Sequence, residues 1–325
     1  MSNYWEGKRV VVAGGAGMIG SYLCRMLVDA GVENATVCDP VPSKTPPWYP
    51  GPIESIVPSG FPFVPDVLFN LAAKVSGIGY NRLANYDMAQ ANLSPQMAAI
   101  DLALKWKCRL VQVSTACVYP RLSAEFLDTG TPESQGLQDE PEPTNSGYGW
   151  AKRMGEMLTM WAVREHGLDA IIVRPFNAYG PNDHFEDPNC HVIPALVKRC
   201  LRDEPQLDVW GSGNQTRAFV HASDVAKGLM LLAEKAPTGT TCNLGHNQQI
   251  SISQLARLIQ MGCGHNGEIV FDGEKPDGYP SRGACTTLLE SLTGWKPDYP
   301  LVKGLLEVIT ACRKWMAEGG KEVAL

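Results

Sequence analysis

Thr115 and Cys117 stand two residues apart in the stretch STACVYP, 114–120. Tyr148 and Lys152 are spaced as YxxxK. All four residue types can take part in proton chemistry. Residues four apart share a helix face. A lysine ammonium placed there can favour the phenolate of Tyr148 and draw its pKa, ordinarily about 10, towards working pH. A tyrosine tuned in that way can move a proton on or off a sugar hydroxyl while hydride moves to or from a nicotinamide. Thr115 can bond the same substrate oxygen. A cysteine thiol has an ordinary pKa of about 8.5, and its thiolate can serve as a base. Each feature also has a plain structural meaning. Free cysteine is among the most buried residue types, and YxxxK by itself describes many solvated helix faces.

Such residues need a scaffold to bring them together. Apolar runs at 10–13, 35–38, 67–71, 109–114, 170–173 and 241–244 are continuous rather than alternating. Parallel strands covered on both faces have that pattern. Helical patterns over 21–30, 92–107 and 146–166 lie between them, with Pro95 in the first turn or at a kink of the second. The alternation predicts an α/β fold built on a doubly wound parallel sheet, the Rossmann architecture. Thr115 and Cys117 then fall at the carboxyl end of a strand, where such sheets bind ligands. If that strand runs on through both, they project to one face roughly 7 Å apart. Nine prolines crowd 40–65 and predict an irregular crossover. After Pro175 the loops lengthen. The expected division is a dinucleotide-binding domain over 1–175, with a returning segment at about 218–244. A smaller α/β substrate-binding domain comes from 176–217 and 245–325.

Gly14, Gly17 and Gly20 follow the first strand and open the first helix. Glycines there permit a tight turn and let the backbone approach a pyrophosphate, while the helix N-terminus offers N–H donors. Asp39 ends the second strand, nineteen residues beyond Gly20. A carboxylate in that place accepts the adenosine ribose hydroxyls and repels a 2′-phosphate, so NAD is favoured over NADP. The nearest basic residue is Lys44.

The chain has 325 residues, 44% of them hydrophobic and 19% charged, with a net charge of −6. That balance argues against nucleic acid or an anionic membrane as the main partner. The ten cysteines are scattered, without CxxC pairs or metal-ligand spacing with histidine. They read as reduced thiols of a cytoplasmic protein with no metal. No signal-peptide core and no apolar run of about 20 residues is present.

Taken in order, GxxGxxG, the Asp39 position, NLAA at 70–73, STACVYP, YxxxK and RPFNAYGP at 174–181 resemble an extended short-chain dehydrogenase/reductase of the NAD-dependent epimerase/dehydratase family. The resemblance covers nearly the whole chain. It implies a sugar-nucleotide enzyme with Thr115, Tyr148 and Lys152 as its catalytic triad. For the cofactor it implies Gly14, Gly17, Met18, Ile19, Gly20, Asp39, Ala72, Ala73, Tyr148, Lys152 and Pro175. In the family's 4,6-dehydratases and decarboxylases an acidic residue usually holds the place of Cys117. A cysteine there is similar to GDP-L-fucose synthases and GDP-mannose 3,5-epimerases. NCHVIPAL at 189–196 closely resembles the fucose synthase segment whose histidine, here His191, partners that cysteine. AAKVSGI at 72–78 and KPDGYP at 275–280 point the same way, while WGSGNQTRAF at 210–219 fits either enzyme. For the substrate the resemblance implies Lys74, Asn177, Val192, Lys198 and Trp210, with Arg217 and Arg282 on a diphosphate. Cys190 is a rival thiol beside His191.

A C–H next to a ketone is acidified because its anion is an enolate. A thiolate base at Cys117 and an acid at His191 on opposite faces would invert that centre. The residues therefore read as an NAD-dependent epimerase acting at C3 and/or C5 of a hexose, expected as a GDP-sugar, through a 4-keto intermediate. The nearest alternative is a fucose-synthase-like epimerase/reductase using NAD(P)H, which the His191 segment favours and Asp39 disfavours. A dinucleotide-sensing protein without catalysis is a third reading, though such proteins commonly lose the tyrosine or lysine that stand intact here. The helices at 92–107 and 146–166 suggest a homodimer through a four-helix contact, by analogy with the family.

Overall fold

Neighbouring residues of the first strand, β1 (Arg9–Ala13), face opposite ways, and both ways are buried. That needs cover on two sides, and the computed structural model supplies it. It describes residues 3–43, 47–120, 129–186, 190–202, 204–275 and 277–320. Lys44, Pro46, Asn189 and Pro276 of the sequence reading lie outside them.

The strands β2 (Asn34–Asp39), β3 (Trp48–Pro50), β4 (Val67–Asn70), β5 (Arg109–Val113) and β6 (Ala170–Pro175) come next. Four short strands, β7 (Ala178–Tyr179), β8 (Gln206–Trp210), β9 (Thr216–Arg217) and β10 (Val220–His221), precede β11 (Thr241–Leu244), which returns to the sheet. β12 (Ile250–Ser251), β13 (Glu268–Asp272) and β14 (Ser281–Arg282) complete the described strands. Seven of them form one sheet in the order β11-β6-β5-β4-β1-β2-β3. All its pairings are parallel. Chain order reverses between β1 and β4, and such a switch point leaves a crevice at the carboxyl ends of the strands.

The helices are α1 (Met18–Asp29), α2 (Ile78–Asn81), α3 (Asn85–Trp106), α4 (Ser146–His166), α5 (Val192–Leu201), α6 (Ala222–Lys235), α7 (Ile252–Cys263), α8 (Thr287–Thr293) and α9 (Leu301–Ala317). Val10, Val12, Val37, Phe69 and Val111 pack with Leu23 and Leu27 of α1 and Val225 and Leu229 of α6. Their neighbours Val11, Leu68 and Leu110 pack with Ala99, Leu102, Ala103 and Trp106 of α3. The period of two thus splits one run of valines between two cores. A third cluster joins α5, α7 and α9 with Leu207 and Val209 of β8.

Several expected boundaries move. α1 starts three residues before the expected helix, at Met18, and α3 begins at Asn85 rather than 92. Pro95 lies inside α3 rather than in its first turn. β3 was not foreseen within the proline-rich crossover. It is an edge strand, where proline is tolerated. β5 stops at Val113, so no strand carries Thr115 and Cys117. Instead Thr115 caps a 3₁₀ turn at Ala116–Val118, its Oγ1 accepting the Cys117 N–H at 3.2 Å. A hydroxyl so close to the main chain competes with the strand ladder and ends it.

One buried ion pair holds the carboxyl end of β6 to α4. Arg174 donates through Nε and Nη2 to both oxygens of Glu156, at 2.9 and 2.7 Å, and through Nη1 to Tyr119 Oη at 2.9 Å. The side chains are 3% and 0% exposed. Arg174→Met strands a carboxylate in the interior and is expected to cost about 3–5 kcal/mol, read from urea unfolding.

Candidate active site

A cavity of about 1230 Å³ opens along the carboxyl ends of the sheet and is lined on its far side by β8, β9, α5 and the residues around Arg282. At one end lies the turn after β1. Gly14 has φ +76°, a conformation that glycine adopts at no steric cost. At Gly20 a Cβ would stand 2.2 Å from the Gly14 carbonyl oxygen, so only glycine lets α1 approach the turn so closely. Gly17 caps α1 without a side-chain bond, leaving the helix N-terminus open to a ligand. Met18 and Ile19 make its first turn and line the cavity, as do Ala72, Ala73 and Pro175. Asp39 ends β2 at the same place. Its Oδ2 accepts the Ala16 N–H at 3.1 Å and its Oδ1 the Val41 N–H at 2.9 Å. The carboxylate is therefore fixed beside the glycine turn. Glycine cradle, open helix end and fixed carboxylate together fit a dinucleotide.

Thr115, Cys117, Tyr148, Lys152 and His191 all line this cavity. The 3₁₀ turn, rather than an extended strand, brings the first two there. Tyr148 and Lys152 lie on the first turns of α4, with the ammonium 6.0 Å from the phenol ring. Lys152 is 1% exposed and donates to the Val113 carbonyl at 3.0 Å. Burial brings its pKa down to about 8. The expected fall in the Tyr148 pKa is not found here. Burial, and then the neighbouring Cys117, push it up, and the Thr115 hydrogen bond opposes them without prevailing.

His191 is the N-cap residue of α5, but its ring caps nothing. Nδ1 meets both oxygens of Asp183, at 3.0 and 2.9 Å. The Asp183 charge raises the His191 pKa against its burial. Asp183→Asn should therefore lower that pKa. If His191 acts as an acid, its protonated form would then be lost at lower pH, and the alkaline limb of the rate profile should move down.

Arg282 places Nη1 3.8 Å from Cys117 Sγ and bonds Glu142 through Nη2. Arg217 is held by the backbone carbonyls of Thr216 and Tyr279, each at 2.7 Å. Burial, and then repulsion from Arg282, bring its pKa down to about 10. Asn177 spans the crossing, donating to the Ala218 and Arg282 carbonyls at 3.1 and 3.3 Å. Asn92 grips the backbone of Lys74 through bonds of 3.1 and 2.9 Å. Val192 and Trp210 line the cavity, but Lys198 does not. Its ammonium donates to the Phe185 carbonyl at 2.7 Å, behind the wall. Val192, Ala195, Leu196 and Arg199 are the residues of α5 that line the cavity.

Among the lining residues that escaped the sequence reading are Ser114, Glu142, Asp183 and Gln215. Ser114 Oγ and Gln215 Oε1 are buried without a protein partner. Asp183 could have been found as an acid within reach of a loop histidine. Glu142, between Pro141 and Pro143, gave no signal.

The match to the model of the NAD dependent epimerase/dehydratase family runs over residues 10–245. The chain belongs to that family. A probable GDP-L-fucose synthase 1 of Oryza sativa subsp. japonica is 33% identical over 320 residues, spanning 96% of this chain and 93% of its own. The GDP-L-fucose synthase of Sinorhizobium fredii is 32% identical over 305 residues, spanning 92% and 94%. Among solved structures, the UDP-glucose 4-epimerase of Thermotoga maritima with UDP-glucose superimposes at a TM-score of 0.84. It is 25% identical, over 95% of this chain and 99% of that one. The protein is thus an enzyme of nucleotide-sugar modification with a Rossmann fold, and its cofactor is a nicotinamide dinucleotide, NAD or NADP. No helix among the described residues is long and apolar enough to cross a membrane.

Proposed function

We propose that the enzyme inverts C3 and/or C5 of a nucleotide-linked hexose beside a C4 ketone, with Cys117 as base and His191 as acid. The observation that carries this reading is one cavity lined by Cys117, the Asp183-bound His191, Tyr148 and Lys152. A thiolate at Cys117 takes the proton from the carbon next to the ketone, and the C–H electron pair passes into the enolate. The imidazolium of His191 returns a proton to the opposite face, and the centre is inverted. Thr115 and Tyr148 bond the C4 oxygen. When bound, NAD supplies a hydride acceptor for making that ketone in place, and its reduced form a donor. Arg217 has main-chain carbonyls rather than a carboxylate as its hydrogen-bond partners, which suits a diphosphate. Lys74, Asn177, Val192 and Trp210 contact the rest of the nucleotide sugar. GDP is the nucleotide we expect, on the names of the relatives.

Those names favour a second reading, in which reduction at C4 follows inversion. Incubation in D₂O with GDP-mannose, and separately with its 4-keto-6-deoxy derivative, distinguishes the two. Deuterium at C3 or C5 without net cofactor change supports the epimerase. Label with stoichiometric loss of NAD(P)H supports the epimerase/reductase. Neither label nor turnover across a panel of sugar nucleotides rejects both.

We also propose the two-domain division at Pro175, and a homodimer. Trp150, Met154 and Trp161 share one stripe of α4, Tyr86 and Met97 one stripe of α3, and all are exposed. Such a patch marks a protein contact. Trp161→Glu should reduce the mass measured by light scattering from about twice 35.3 kDa to 35.3 kDa.

A further inference from the structure

We propose that Arg282 serves the Cys117 thiolate rather than the substrate diphosphate, and that Glu142 trims the acidity of that thiol by partly cancelling the guanidinium. The inference rests on the reading of Cys117 as base and assigns the two groups that set its strength.

The geometry separates the two arginines of the cavity. Arg217 is held by main-chain carbonyls and lies in repulsive range of Arg282, so an anion would relieve it. Arg282 already has an anion. Its Nη2 bonds the carboxylate of Glu142, whose side chain is 2% exposed. Its remaining terminal nitrogen points at sulfur, 3.8 Å from Cys117 Sγ. The pair is fixed on both sides. Thr144 Oγ1 donates to Glu142 Oε1 at 2.6 Å, and Asn177 holds the Arg282 carbonyl at 3.3 Å. These contacts join a residue ahead of α4 to one on β14, across 140 positions of chain.

The groups that act on the thiol are few and named. Burial raises its pKa. Arg282 lowers it, Glu142 raises it, and the Thr115 hydrogen bond lowers it. Tyr148 and Arg217 also feel its charge. A thiol beside a bare guanidinium would be a strong acid and its thiolate a correspondingly weak base. A thiol buried without one would hardly ionise. With Glu142 bound to Arg282 the group lies between these limits: burial keeps the thiol's pKa raised, so it is protonated at rest, and the guanidinium stabilises the thiolate once it forms.

The test needs no substrate. Alkylation of Cys117 by iodoacetamide is followed across pH 6–10 by mass spectrometry of its peptide, in the full-length enzyme with NAD binding as the control for folding. Arg282→Gln should slow labelling at pH 7.5 by roughly tenfold or more, the scale of a lost charge-assisted contact. Glu142→Gln should do the reverse and shift the profile to lower pH. Because Arg282→Gln leaves a buried carboxylate uncompensated, the double variant Arg282→Gln/Glu142→Gln is measured with it. It should still label more slowly than the native enzyme, since the guanidinium is the stronger of the two influences. Unchanged profiles in Arg282→Gln and the double variant, or slower labelling in Glu142→Gln, would overturn the assignment. A shifted profile in an enzyme that exchanges no deuterium would keep the tuning and reject the epimerase reading instead.

Discussion

Cys117→Ser leaves the dinucleotide bound and stops solvent deuterium from entering the sugar. An alcohol is a far weaker acid than a thiol, so its conjugate base is scarce at neutral pH. The loss of a positioned base is expected to cost about 10²–10⁴-fold in exchange rate. The change is nearly isosteric, and the 3₁₀ turn that carries the residue is held by the backbone N–H of Cys117 and by Thr115 Oγ1, which the substitution does not touch. Cofactor affinity, measured by calorimetry, should therefore stay within about twofold of the native value, because the substitution alters neither the glycine turn nor Asp39. If label enters the variant at the native rate, another group is the base. Cys190, which lines the same cavity, is then the first candidate. His191→Asn should be impaired on a similar scale and is best compared with Asp183→Asn, in which the imidazole remains and only its titration moves.

Gly20→Ala should cripple the cofactor site. The added Cβ would stand 2.2 Å from the Gly14 carbonyl oxygen and 2.7 Å from the Gly15 Cα, both main-chain atoms with no rotamer to yield. α1 must move away from the turn, and its N-terminal N–H groups move with it. Overpacking of this kind costs about 1–3 kcal/mol or more. Where the loss falls on binding, NAD affinity drops roughly tenfold to a hundredfold. Where it falls on folding, the urea midpoint drops by a comparable energy. Both are measured on the same preparation, and native values for both would show that α1 adapts without consequence.

The parts that were legible in the sequence are those where one local rule decides. Continuous apolar runs gave the sheet, because a strand buried on both faces needs no polar residue. The glycine turn and Asp39 were legible because a single strand–turn–helix unit holds all of them. α4 matched its expected limits, 146–166, with Gly167 in the left-handed conformation at its end. What stayed hidden depends on distance along the chain or on competition within it. Glu142 meets Arg282 only after the fold has closed, and nothing in EPEPTN distinguishes a buried carboxylate from a solvated one. Thr115 and Cys117 read as strand residues by composition, whereas a hydroxyl bonding to the main chain ended the strand before them. Lys198 was implied by the resemblance, yet its ammonium is bound to the Phe185 carbonyl. The Asp183–His191 pair needed a loop conformation that periodicity does not describe.

The prolines of the crossover have a consequence beyond irregularity. In a parallel pair, residues alternate in the neighbour they address. The Pro47 carbonyl and the Gly51 N–H both bond β2, so the backbones of Trp48 and Pro50 face outwards along the open rim of the sheet. Of those two positions Pro50 has no N–H to offer. A foreign strand arriving at β3 would find a three-residue edge with one of its two outward donors missing. The molecule thereby carries, in the least regular part of its chain, a guard against edge-to-edge aggregation.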